Sequence, residues 1–509
     1  SETRADVGDR ANDAIRVDAR DLRCRVVGEG GNLGFTQRAR IEFALADGRI
    51  NTDAIDNSAG VDTSDHEVNI KILLDGATRA GTFAMTEREA LLASMTDEVA
   101  ALVLRDNYAQ NLALTCSQAQ AVDMLHVHAS YLDALEKAGQ LVRVLEQLPD
   151  AEEIKERRGA GLGLTRPELA VLLAYSKITA THSIVASDLP DDAFAYGVLQ
   201  AYFPTALRER FAAALTEHPL RGEIIATCLA NTLVNVSGST FVFRLTSETA
   251  ASTADIVRAH TAARLSFDVD PTWHEIEALD EVIASAAQVD MLLGLRQLLD
   301  RATRWFLANR RPPIDVPATV TQGASAIAEV LQTLPNVVRG GDADDFVASR
   351  AALVDEGVPA ELAGRVVALR YGLATLSVVD IAARTGIRPA QVAEVHFALG
   401  DTLGLARIGR LIAALPRDSR WHTLARAAAR DDLEATHAEL TADVLAATDA
   451  TAPVDTRIEQ WKSANTAALA RAAALLDDIA ASDSADLATL SVALREVRAL
   501  ARAAALPTA

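Results

Sequence analysis

Only three cysteines, Cys24, Cys116 and Cys228, are spread through 509 residues. They are too few and too scattered for a disulfide framework, and none stands with histidines at metal-ligand spacing, so no metal site is expected. A chain that does without disulfides points to a reducing, cytoplasmic compartment. Aromatic residues make up 4%, and the lysines number five: Lys71, Lys137, Lys155, Lys177 and Lys462. No apolar run reaches the ~18 residues of a membrane helix and no signal-like segment is present, so neither a membrane span nor secretion is supported. Positive charge is short as well, since 49 Lys and Arg face 70 Asp and Glu for a net charge of −21. That excess repels phosphate, no basic stripe offsets it, and nucleic acid is excluded as a partner.

What is present is a chain that is 50% hydrophobic, enough for about two to four domains with real cores. Its most unusual residues are concentrated in 25–74. CRVV at 24–27 reads as a short strand and GEGGNLG at 28–34 follows without a gap. Thr36 is placed to cap a helix from Gln37, with Ile41, Ala44 and Leu45 on its buried face and Gly48 at its end. RINT at 49–52 reads as a second strand, and DAIDNSAGVD at 53–62 as a polar loop. Ser64 and Glu67 form a capping-box pattern before a helix with Val68, Ile72 and Leu73 inward. The run is therefore β-α-β-α, with chemistry in the loops that follow strands, where an open parallel sheet binds ligands. Glycines at 28, 30 and 34 let backbone amides approach a ligand. They also form a relaxed dinucleotide fingerprint, with Asp53 as the ribose-binding acid. A helix start aimed into a cleft attracts a carboxylate, which gives Ser64 a binding role beside its capping role. His66 reads as an acid or base, or as a satisfied structural histidine.

The remainder is helical. Thr86 and Glu89 make another capping box, opening a long helix with Leu91, Met95, Val99 and Val103 on one side. Residues 121–148 carry Leu125, His128, Tyr131, Leu132 and Leu135 at helical spacing, while His126 and His128 do not share a face. The glycines at 159–163 lack the preceding strand and the lysine of a phosphate loop, and Thr165, Pro167 and Glu168 open the next helix instead. Residues 375–398 have helix-turn-helix spacing without a base-reading cluster of basic residues, and are expected to form a packed helical hairpin.

VVGEGGNLG at 26–34 and NTDAIDNSAGVDTSDHE at 51–67 closely resemble the large bacterial NAD-specific glutamate dehydrogenases, as does GDRANDA at 8–14. The resemblance implies an α/β plus mostly α chain: the late part of a Rossmann-type NAD domain over 1–85, then a helical C-terminal domain over 86–509, divided near 149–166 and 310–325. It also implies that the chain is the tail of a longer polypeptide.

Smaller glutamate dehydrogenases carry a comparable pair of loops, and their roles transfer by position. Gly30 and Asn32 fall at the cofactor, Asn32 near its nicotinamide end. Asn57 falls at the nicotinamide ribose or the substrate, and Ser64 at the side-chain carboxylate of glutamate. Ser58, Ala59, Asp62, Asp65 and His66 depart from the smaller enzymes. The implied reaction is NAD-dependent oxidative deamination of L-glutamate to 2-oxoglutarate and ammonium, in a homo-oligomer. It needs a lysine and a carboxylic acid. None of the five lysines lies in a glycine-rich substrate loop, so the catalytic residues are expected upstream and the isolated chain is expected to be inactive. Two other readings stand beside this one: a noncatalytic helical regulatory or oligomerisation module, and a small self-sufficient oxidoreductase using the 28–34 glycines on pyrophosphate.

Overall fold

The expected α/β run does not form. Helix makes up 77% of the described residues. Among the described residues no strand occurs, and the nearest thing to a sheet is one isolated parallel bridge between Val26 and Arg49. Two backbone bonds make it, Val27 N–H to Arg49 O at 2.9 Å and Arg49 N–H to Arg25 O at 2.9 Å. A lone pair of short extended segments is marginal without a third strand or a covering layer. Here no third strand occurs among the described residues, the cover is limited to the small cluster around Phe43, and Val26 is 65% exposed. The Rossmann-type reading of 1–85 is corrected accordingly.

The computed structural model describes residues 5, 8, 10–31, 34–417, 419–481 and 486–504. The chain divides into two compact units, Ser1–Arg258 and Ala259–Ala509.

In the first unit the central element is the Arg166–Val185 helix, packed on the Arg221–Ser237 and Thr96–Ala119 helices. Its start is set locally, because Glu168 accepts from both the backbone N–H and the hydroxyl of Thr165 at 2.7 Å and closes the expected capping box. Leu169, Leu172, Leu173 and Ile184 then face inward with Leu114, Leu132 and Val234. Truncating one such leucine to alanine costs about 2–5 kcal/mol. The N-terminal segment has its own small core of Ala19, Phe43 and Ile50, with Leu22, Val27 and Phe35 against it.

Two local expectations shift in register. Thr36 does cap Gln37–Leu45, accepting from Ala39 N–H at 3.2 Å. The buried residues of that helix are Arg40 and Phe43, however, while Leu45 is half exposed. The next long helix is Ser58–Arg79, so Ser64 lies inside it and forms no capping box with Glu67. Its inward residues are His66, Ile70, Leu73, Leu74 and Ala77, with Val68 exposed. The helix expected from Thr86 is broken into Arg88–Ser94 and Thr96–Ala119.

The second unit is helical throughout its described residues. Gly372–Thr385 and Pro389–Thr402 pack as the expected hairpin, turning at Gly386 with φ +72°. The Pro389–Thr402 helix meets Arg420–Ala447 through His396 and His437, whose rings stack 3.6 Å apart. Gly400 leaves room for them, since a Cβ there would lie 2.9 Å from the His437 ring.

Candidate functional site

The two loops singled out in the sequence are held together by buried charge. Glu29 is 4% exposed. Its carboxylate accepts from Arg40 Nε at 2.8 Å, from Arg40 Nη2 at 2.7 Å and from Phe35 N–H at 2.9 Å. Arg40 Nη2 also lies 3.2 Å from Asp53 Oδ1, so one guanidinium reaches both loops. The Glu29 backbone N–H donates to Asp56 Oδ2 at 2.7 Å, and Asp56 Oδ1 accepts from Asn51 Nδ2 at 2.6 Å. Paired guanidinium–carboxylate bonds of this length are strong and directional. They fix the loop at Glu29 from its inner side.

The outer side of the loop carries Gly30. It is exposed, its φ is not positive, and a Cβ built on it would meet no atom within 4 Å. Neither a special turn nor internal packing demands glycine there. Asn32 lies outside the described residues. A cavity of about 760 Å³ borders the end of the loop, lined by Ile15, Leu22, Gly34, Phe35, Gln37 and Arg40 among others. Its volume is in the range of small-molecule sites. Asp53 is engaged internally, with Oδ1 accepting from Ala54 N–H at 3.0 Å besides facing Arg40.

Asn57 stands at the N-terminus of the Ser58–Arg79 helix. Its amide covers the first turn, so that a Cβ on Gly60 would sit 2.9 Å from Asn57 Oδ1. Ser64 is exposed and donates to Val61 O at 2.6 Å. Seven residues separate Asn57 from Ser64, which at 100° and 1.5 Å per residue places them on one stripe about 10 Å apart along the axis. The helix-terminus attraction for an anion belongs to residues 58–60, and Ser64 lies nearly two turns further on.

Sequence reasoning missed the polar residues that support this arrangement from behind. Asn107 Nδ2 donates to Ile55 O at 2.9 Å and to Ser58 Oγ at 2.8 Å. Asn51 Nδ2 also donates to Asn111 Oδ1 at 3.0 Å, and Asn51 Oδ1 accepts from Arg166 Nε. Arg166 reaches Thr115 Oγ1 at 3.1 Å and Asn111 O at 3.1 Å. The signal was available, because Asn107, Asn111 and Thr115 repeat every four residues as a polar stripe within a helix.

A second polar cluster lies behind the same helix, on the face opposite Ser64. Burial pushes the Lys177 amine down to about 8, against the pull of Asp106 and Asp62. Burial, then Asp106 and Asp65, pushes the Asp62 carboxyl up to about 6. Asp62 Oδ2 is buried without a hydrogen-bond partner, and Asp62 Oδ1 is 4.0 Å from His66 Nε2. His66 is stacked on Tyr202 with centroids 4.3 Å apart, and burial lowers its pKa. Asp62 and His66 lie on the helix face opposite the stripe of Asn57 and Ser64.

The comparisons with known proteins agree with the motifs. Residues 1–117 match the family model described as bacterial NAD-glutamate dehydrogenase, catalytic domain, and residues 161–499 match glutamate dehydrogenase, C-terminal. A protein named NAD-specific glutamate dehydrogenase from Mycobacterium tuberculosis strain H37Rv is 44% identical over 502 residues, covering 99% of this chain and 31% of that protein. Proteins of the same name from Pseudomonas aeruginosa and Halomonas elongata are 41% and 40% identical, over 98% of this chain and 31% of each. The chain thus spans 31% of the length of these curated relatives. Matched by both models and by relatives along nearly its whole length, the chain belongs to the bacterial NAD-specific glutamate dehydrogenase family.

Proposed function

We propose that this chain supplies part of the cofactor and substrate cleft of an NAD-dependent glutamate dehydrogenase, together with a helical assembly or regulatory region. The overall reaction is L-glutamate, NAD⁺ and water giving 2-oxoglutarate, ammonium, NADH and a proton. The observation that carries the reading is the loop at 28–34, braced on its inner side by Glu29 and Arg40 and open over Gly30.

Gly30 and Asn32 would hold the cofactor, with the bare backbone at Gly30 admitting close approach of its phosphates or ribose. Bound NAD would accept the hydride from the α-carbon of glutamate. Asn57 offers an amide at the head of its helix for the nicotinamide ribose or the amino-acid end of the substrate. Ser64, on the same stripe, has a hydroxyl for the side-chain carboxylate. The lysine and carboxyl group that move protons belong to the remainder of the longer relatives. Lys177 is not offered for that role, because its charged neighbour Asp62 lies on the helix face opposite Ser64. The isolated 509 residues would then have no turnover. A homo-oligomeric, cytoplasmic enzyme is part of the same reading.

The test uses the full-length natural polypeptide that contains this chain, followed at the NADH absorbance. Ser64→Ala should raise KM for glutamate and leave KM for NAD near wild type, while Gly30→Val should do the reverse. Each effect is expected on the order of tenfold for a lost or obstructed polar contact. A full-length protein whose glutamate and NAD constants ignore both substitutions would instead support a noncatalytic module.

A further inference from the structure

A chain of hydrogen bonds runs from the glycine-rich loop into the region matched by the C-terminal family model. It begins at the Glu29 backbone N–H, which donates to Asp56 at 2.7 Å. Asp56 accepts from the Asn51 amide at 2.6 Å, and the other end of that amide accepts from Arg166 Nε. Arg166 is held in turn by Thr115 Oγ1 at 3.1 Å and by Asn111 O at 3.1 Å. Gln37, in the first turn of the helix that carries Arg40, donates to Pro167 O at 3.2 Å beside it.

We infer that Arg166 is a positioning residue for the 28–34 loop, acting through Asn51 and Asp56, and that it couples the C-terminal helical region to the cofactor site. This rests on the reading of that loop as cofactor-binding.

The chemistry of each link supports the assignment. Asn51 lies between a cation and an anion, with its oxygen toward Arg166 and its amide nitrogen toward Asp56, so only one orientation of the amide satisfies both. The planar guanidinium addresses acceptors on three residues, Asn51, Thr115 and Asn111, in fixed directions, which a lysine amine cannot do. Burial lowers the Arg166 pKa, and Asp56 opposes that shift from the far side of Asn51. The guanidinium remains charged, as arginine does throughout the ordinary pH range. A shift of the Arg166–Val185 helix would therefore be felt at the Glu29 amide, with no contact between that helix and the ligand required.

The experiment uses the full-length polypeptide and two readouts, steady-state kinetics and amide hydrogen exchange over residues 28–35. Arg166→Ala should raise KM for NAD on the order of tenfold, with a much smaller change in kcat, because a misplaced binding loop weakens capture first. Exchange over 28–35 should accelerate more than over the core of the Arg221–Ser237 helix. Arg166→Lys should recover little of either effect. Asn51→Ala, which leaves Arg166 its bonds to Asn111 and Thr115, reads the link from its other end and serves if Arg166→Ala does not fold. The double variant should be no worse than the poorer single variant. Unchanged exchange over 28–35 in both single variants would overturn the inference. Accelerated exchange in a full-length protein that does not oxidise glutamate with NAD would keep the brace and overturn the cofactor reading. Normal activity with an unaltered KM for NAD would overturn the coupling alone.

Discussion

Arg40 holds the carboxylate of Glu29 through two nitrogens at 2.7 and 2.8 Å, and both side chains are almost wholly buried. Removing one partner strands the other charge away from water. Arg40→Met is therefore expected to destabilise the protein by about 3–5 kcal/mol, read as a lower urea midpoint by circular dichroism. A midpoint within error of wild type would mean that the pair carries little stability.

Gly48 has no space for a side chain. A Cβ there would lie 2.3 Å from the Phe43 ring, the centre of the small N-terminal core. Gly48→Ala should cost about 1–3 kcal/mol through overpacking, and Phe43→Leu in the same chain should relieve part of that cost. Independent, additive losses in the double variant would argue against this contact as the cause.

Burial pushes His437 down to about 4 and holds the stacked His396 well below its ordinary value, so both rings are neutral in the fold. Two ring nitrogens are satisfied locally, His396 Nδ1 with Thr441 Oγ1 at 2.9 Å and His437 Nε2 with His396 O at 2.9 Å, while His396 Nε2 is buried without a partner. Below the unfolded value of 6.5, the unfolded chain takes up protons that the folded rings refuse. Stability is then fully present above that pH and is lost as pH falls toward 4, at up to about 1.4 kcal/mol per pH unit for each ring. His437→Gln should flatten that slope by one ring's share in urea titrations at several pH values. Parallel curves for wild type and variant would contradict it.

Glu434 gives the opposite sign. It borders a cavity of about 820 Å³ with Arg301 and Trp305, and its Oε2 is buried without a partner. Burial raises its carboxyl from 4.5 to about 7, with Arg301 and Arg430 working against the shift. The folded state keeps a proton that the unfolded chain releases, so this contribution is fully present below the unfolded value and is lost as pH rises through 7. Glu434→Gln should be nearly neutral at pH 4 and stabilising by about 3 kcal/mol at pH 8. Equal effects at the two pH values would show that the carboxyl is not titrating.

Features legible in the sequence were those decided within a few residues. Thr36 caps its helix, Thr165 and Glu168 close their box, and the 375–398 hairpin turns at a left-handed glycine. The strands were misread because 24–27 and 49–52 have strand-like residues but, among those described, only each other to pair with. Ser64 and Glu67 had the grammar of a helix start, yet the helix begins at Ser58 and Glu67 pairs with Lys71 along its side. At the candidate site, Gly30, Asn57 and Ser64 stood out as a motif, whereas Arg166 meets Asn51 across 115 positions. No local pattern announces such a meeting. Arg40 was hidden differently, since a charged residue on a short helix is read outward by default and here is buried.

The brace at Glu29 also bears on the thermodynamics of ligand capture. A loop that must be ordered by its ligand gives association a large unfavourable entropy and an amplified heat-capacity change. Within that loop Glu29 is tied down by Arg40, Phe35 and Asp56. Calorimetry of cofactor binding should therefore give a heat-capacity change set by the contact surface alone, and the association rate should stay proportional to cofactor concentration without levelling off.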